Sequence, residues 1–331
     1  MKLLKIPQLA QEQILKCMDY RQIFFLSLSS KKMFRLIQSF RWKLRGFFFN
    51  FTQRHISIIL DKTNGNHQGI FDLITFHAGS MCSELLEYSK EWTPVSMKYT
   101  CQNEESDVVL DIQKHIFQLF CRSPDFRFTA VIESSEKYRY VPNVKRVWFQ
   151  KNPVKVDFLE QFIRDHSELE AIVTLDGLIG EVDQNSKIFE IPNLRIENST
   201  KPCTHYLDNF KGRCAVFCQE TLPNAKLFIE KWMRNEYSEN IQHVFICLPK
   251  GQKFSDTIFE NVEKKNWDTG TMPKAYPYNK RDAYYIGANS WLFGCEGRYY
   301  LEREADGKVA TVGLAGNHLT FSVWEERPYG I

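Results

Sequence analysis

Apolar residues fall at helical spacing through the first forty positions. After Pro7 they stand at Leu9, Ala10, Ile14, Leu15, Cys17 and Met18, then at Ile23, Phe24, Leu26 and Leu28, then at Met33, Phe34, Leu36, Ile37 and Phe40. Pro7 suits a helix start, Asp19 can cap a second helix, and the Ser29-Ser30 pair can cap a third, so three short helices are predicted. A unit this small buries little apolar surface of its own, and domains under about 40 residues usually need a metal, a disulfide or a partner. This piece is expected to lean on something else.

Beyond it, residues 41–54 read as a bridge anchored by Trp42, Leu44 and the phenylalanines at 47–49. The apolar runs 56–60 and 70–76 flank a polar connector and predict a loose β-hairpin, with a third strand at 94–100 and a covering helix at 108–120. Short β-rich runs then recur at 126–132, 144–149, 169–175, 194–197, 214–217 and 241–248. The last five are centred roughly 20 to 30 residues apart, the period of leucine-rich repeats and related β/α solenoids. Helical stripes at 156–163, after Pro153, and at 225–233, after Pro223, alternate with them, so parallel pairing through right-handed crossovers is expected. The stretch between 175 and 194 is too short and polar for a good helix, which makes the solenoid irregular. The alternative is an α/β domain with another strand order, although no glycine-rich loop of a nucleotide fold follows the first strand. Residues 264–290 form a polar connector. Asp306-Gly307 between two alternating runs, and a second turn at 315–317, predict a closing three-stranded antiparallel meander. The expected fold class is α/β, partitioned into a helical module at 1–45, a linker with a small β-sheet at 46–100, and a repeat-like body with the meander at 101–331.

Charge sharpens this partition. Residues 1–54 hold eleven Lys and Arg against Glu12 and Asp19, while the rest of the chain is mildly acidic, within a net charge of +3. A basic module suits nucleic acid or an acidic protein, and with no nucleic-acid motif present the protein partner is favoured. The nine cysteines are odd in number, contain no Cys-x-x-Cys, and sit mostly inside apolar runs. That usage fits a reducing compartment, cytosol or nucleus. No signal-peptide pattern and no run of about 18 apolar residues occurs, so no membrane association is expected.

Ile6-Pro7, Ile14-Leu15, Met18-Asp19, Ile23, the stretch 26–28, and Ser30-Lys31-Lys32 followed by Leu36 together resemble the F-box. The resemblance implies a module that docks on the Skp adaptor of a cullin-RING ubiquitin ligase, with Ile6, Pro7, Leu9, Ile14, Leu15, Met18, Ile23, Leu26 and Leu28 as the adaptor-binding set. Residues 303–311, ending in the run 321–324, are similar to the end of the type-two F-box-associated domain of the large nematode F-box family, and 194–199 and 224–233 to its central region. Together these likenesses imply a non-catalytic substrate receptor of an SCF-type ligase, holding an unknown target protein through its C-terminal domain and raising the effective concentration of target lysines.

The sequence has no phosphate loop, no Gly-x-Ser-x-Gly elbow and no His-Glu-x-x-His zinc helix. Cys203 and His205 with Cys214 and Cys218 match no familiar zinc spacing, and the carboxylates at Asp176, Glu181 and Asp183 suit a turn. No catalytic, cofactor or metal site is expected. Two other readings remain: a repeat scaffold whose N-terminal helices only cap the core, and nucleic-acid binding by the basic stretch 31–54.

Overall fold

The structure, a computed structural model, describes residues 3–40, 42, 44–51, 55–64, 67–77, 105–120, 127–138, 140–198, 206–279, 282 and 293–328. The chain divides into two compact units, Met1–Val144 and Lys145–Ile331.

In the first unit the three predicted helices form where the pattern places them: α1 (Gln8–Lys16), α2 (Tyr20–Leu28) and α3 (Lys31–Ser39). Pro7 stands at the N-cap of α1. Asp19 makes a capping box with Gln22 at the start of α2, and the Ser30 hydroxyl accepts from the Met33 amide at the start of α3. Strands β1 (Leu44–Phe51), β2 (His55–Asn64) and β3 (His67–His77) follow, then α4 (Glu105–Phe120) and β4 (Arg127–Ile132). The strand order is β3-β2-β1-β4, antiparallel except for the parallel pair β1 and β4.

Two expectations change here. Residues 44–51 are not a bridge but an inner strand, paired on both sides. Their phenylalanine run lacks period-two alternation, and Phe49 and Phe51 are fully buried, against Phe128 and Tyr138 at 4.7 and 5.1 Å between ring centroids. The hairpin is also longer than its apolar runs. Backbone pairing carries the polar residues 61–64 and 67–69 into the strands, because ladder hydrogen bonds need only an amide and a carbonyl. The third strand expected at 94–100, and the domain boundary expected beside it, lie outside the described residues. Helix α4 and strand β4, expected in the region starting at 101, belong to the unit that holds the N-terminal helices.

The second unit contains β5 (Arg146–Phe149), β6 (Val154–Lys155), α5 (Val156–Asp165), β7 (Ala171–Thr174), β8 (Leu178–Ile179), β9 (Asn193–Ile196), α6 (Tyr206–Asn209), β10 (Cys214–Cys218), α7 (Leu222–Met233), β11 (His243–Cys247), β12 (Lys265–Asn266), β13 (Tyr299–Glu302), β14 (Val309–Ala315) and β15 (His318–Val323). Strands β5, β7, β9, β10 and β11 run parallel and adjacent in chain order, in one register through Val147, Ile172, Leu194, Ala215 and Val244. All five of these side chains are buried. Between β7 and β9 the only helical element is a 3-10 turn at Lys187–Glu190, as the polar sequence predicts. The short β6 and β8 pair with each other, apart from the main sheet.

The meander forms as expected, with both turns carrying glycines at positive φ, Gly307 and Gly316. Its last strand, β15, lies antiparallel against β11, so the meander extends the parallel sheet. Helices cover one sheet face: Phe149 meets Phe162 of α5, and Phe321 of β15 meets Phe228 and Trp232 of α7. The opposite face, at Cys214, Val216 and Phe245, is covered by Trp267, Met272 and Tyr276 from the stretch read as a polar connector, and by Phe293 just beyond it. Those apolar residues are spaced without any period, so the sequence pattern does not show them as core.

Candidate functional site

The N-terminal helices have two different faces, and the residues that build each can be followed individually. On the inner face, Phe24 of α2 and Phe34 of α3 meet the His115 ring of α4 at 5.5 and 4.9 Å. The Ser27 hydroxyl donates to the Phe24 carbonyl at 2.5 Å and lies 2.7 Å from His115 Nε2. With its only proton committed, Ser27 must accept, so His115 donates from Nε2. Burial lowers the His115 pKa and keeps the ring in this neutral form. Gln38 Nε2 donates to the Gln118 carbonyl at 3.0 Å. Tyr20, Trp42 and Phe120 meet edge to face, and the Trp42 indole donates to the Ile37 carbonyl at 2.9 Å. The support that so small a module requires is therefore α4 of its own chain.

The outer face presents a different set. Leu9 is 70% exposed and Leu28 44% exposed, and Pro7 is exposed beside them in the chain. Ile6, Ile14, Met18 and Leu26 are half-buried. Leu15 and Ile23 are buried inside the module, so they hold it together and present no surface. Leu4, 45% exposed, joins the outward residues; the helical spacing begins only after Pro7 and so does not mark it. Gln11 explains why the segment before α1 is held in place. Its buried side-chain amide donates to the carbonyls of Leu3 and Ile6 at 3.1 and 3.0 Å, which fixes Leu4, Ile6 and Pro7 against the helix. Lys31, Lys32 and Arg35 of α3 are exposed and keep this region basic.

Among its described residues, the second unit offers no activated nucleophile or acid-base pair of comparable definition. Burial pushes the Cys214 thiol up. His243 is buried with its pKa down to about 3, its Nδ1 2.8 Å from Ser322 Oγ and its ring 4.7 Å from Phe293. Asp282 accepts from Arg213 at 2.9 Å and from Asn193 at 3.1 Å, which ties residue 282 to the sheet. Cys203 and His205 lie outside the described residues. Cys214 and Cys218 occupy opposite ends of β10. Among the described residues no group of three or more His, Cys, Asp and Glu is placed to hold a metal ion, and no helix is long and apolar enough to cross a membrane.

Comparison with known families adds one finding. The sequence profile of the F-box domain matches residues 3–45, the segment that carries both faces described above. No curated protein and no solved structure matches the chain.

Proposed function

We propose, with residues 3–45 being an F-box domain as the premise, that this chain is the substrate receptor of an SCF-type ubiquitin ligase. The F-box docks a Skp-type adaptor, and through it a cullin, while the remainder holds a target protein in the cytoplasm or nucleus. The chain contributes proximity between target and conjugating enzyme. In this reading Leu4, Ile6, Pro7, Leu9, Ile14, Met18, Leu26 and Leu28 make the adaptor-facing surface, and Leu15 and Ile23 support it from beneath. The parallel β/α body of the second unit, with its resemblance to the nematode F-box-associated domain, is the target-binding part.

The observation that carries the proposal is the outward placement of Leu4, Leu9 and Leu28. A helical cap that only closes a repeat stack is expected to be polar outside, whereas interfaces concentrate binding in a few apolar anchors.

Point variants test this better than truncation, because removing residues 1–45 also strips Phe24, Phe34 and Trp42 from α4. The full chain with Leu9→Asp and Leu28→Asp should keep its circular dichroism spectrum and lose co-purification with a recombinant Skp-type adaptor. Retained stoichiometric binding by the folded double variant would show that the adaptor, if bound at all, uses another surface.

A further inference from the structure

Cys218 and Cys247 are the last residues of the parallel strands β10 and β11 and are direct register partners. Adjacent strands lie about 4.8 Å apart, and paired residues of a parallel ladder project from the same sheet face, so the two side chains stand next to each other. Both side chains are partly exposed and lie at the rim of the cluster that buries Val216, Phe245 and Trp267. Twenty-nine residues apart in sequence, they form no spacing motif. Buried Cys214 and Cys295 act as small apolar residues of that cluster, but Cys218 and Cys247 stand side by side on one sheet face where solvent can reach.

We infer that Cys218 and Cys247 form a two-sulfur site for a thiophilic monovalent metal ion, with Cu(I) as its chemical type. Zinc takes four nitrogen, sulfur or oxygen ligands, and no third His, Cys, Asp or Glu among the described residues is placed to complete such a set. His318 is the register partner of Cys247 on the other side, but its ring packs on Phe245 at 5.1 Å. Two soft thiolates bordered by apolar side chains select Cu(I). Binding is a ligand exchange without redox change. Each thiol gives its proton to solvent, two S–Cu bonds form, copper stays Cu(I), and the product carries one negative charge. The neighbouring Cys247 thiol and burial push the Cys218 thiol up, so proton loss opposes binding, while the positive charge of Arg195 acts on Cys218 in the opposite sense and favours the anionic complex. Arg195 is itself ion-paired with Glu197.

The test uses the reduced full-length chain, anaerobically, against Cu(I) held by bicinchoninate. Wild type should take one Cu(I) ion more tightly than either Cys218→Ser or Cys247→Ser. Each substitution should cost more than the roughly tenfold that loss of an outer-shell partner costs a metal site. Cys17→Ser, at an exposed cysteine of α1's C-terminus, should leave the affinity unchanged. Should a serine variant fail to fold, alkylation mapped on wild type decides: one equivalent of Cu(I) should protect Cys218 and Cys247 together. Wild-type affinity in both folded serine variants, or unchanged alkylation of the pair, would overturn the site. Equal competition by Zn(II) would overturn its assignment to Cu(I).

Discussion

Glu220 shows how one buried group sets a pH response. It is fully buried between β10 and α7, its backbone amide donating to the Cys247 carbonyl at 3.0 Å. One carboxylate oxygen accepts from Asn224 at 3.1 Å, and the other has no hydrogen-bond partner among the described residues. Burial pushes its pKa from 4.5 up to about 7, against the smaller opposing effects of the Asn224 amide and the Thr221 backbone N–H. Below pH 4.5 the group is protonated folded or unfolded and costs nothing. As pH rises from there to about 7, the folded protein retains a proton the unfolded chain has lost, so stability falls. Above about 7 the full cost remains, about 3 kcal/mol at 1.36 kcal/mol per unit. Glu220→Gln should therefore raise the urea midpoint at pH 8 and leave it nearly unchanged at pH 4.5. Because His166 and His243, which burial lowers to about 4 and about 3, are common to both proteins, the difference between them isolates Glu220. An equal shift at both pH values would show that volume or hydrogen bonding matters more than charge. Sequence could not show this group. A glutamate just before a proline-containing helix start reads as an exposed capping acid, and only the fold buries it.

Arg303 is a second residue whose role the sequence does not show. It is buried, stacked 4.8 Å over Trp232, and makes two hydrogen bonds to the Asp306 carboxylate at 2.8 and 2.6 Å. It thus ties the turn before β14 to the end of α7. Residues 303–311 stand out in the sequence for their turn and family resemblance, neither of which reveals this pairing. Asp306→Ala leaves the buried guanidinium without its solvent-exposed carboxylate partner and should cost about 1.5–3 kcal/mol, the range for a hydrogen bond to a charged group. Arg303→Lys keeps the charge but loses the planar, two-pronged contact and should recover only part of it. Thermal unfolding of the two variants checks the order.

At the scale of elements, what was legible depended on whether the sequence carried the local signals. Helices α1 to α3 carry both spacing and caps, and they appear with the predicted caps. Spacing alone does not say which apolar residues of an amphipathic helix face inward and which face a partner. Leu15 and Leu9 illustrate this: both fit the stripe of α1, yet one is fully buried and the other 70% exposed. Leu15→Ala should cost about 2–5 kcal/mol through the cavity it leaves, while Leu9→Ala should change stability by less than about 0.5 kcal/mol. Chemical denaturation of the two proteins distinguishes them directly. If Leu9→Ala proves as costly as Leu15→Ala, Leu9 is part of the folded core and cannot serve as an adaptor anchor.

For the molecule as a whole, the parallel order of β5, β7, β9, β10 and β11 could be read in advance because short crossovers and fixed handedness leave few ways to connect evenly spaced strands. The destination of the meander could not, since a hairpin's sequence sets its turns but not which strand its open edge will meet. In the structure β15 pairs with β11 on one side and β14 on the other, so among the described strands it alone joins β12, β13 and β14 to the parallel set. Deleting residues 318–331 should release those three strands, leave the β11 edge and its buried His243 and Phe245 unpaired, and yield aggregated protein, because an open apolar edge templates association. Deleting only 325–331 removes the exposed Gln242–Glu325 hydrogen bond and the Arg327–Glu302 ion pair, each worth about 1 kcal/mol or less at the surface. That shorter truncation should elute like the full-length chain and unfold cooperatively a few degrees lower. Size-exclusion chromatography and calorimetry of both proteins check the difference. A soluble, cooperatively unfolding 1–317 chain would mean that the parallel strands stabilise themselves without β15, and that the meander is an appendage to the sheet and not part of its continuous core.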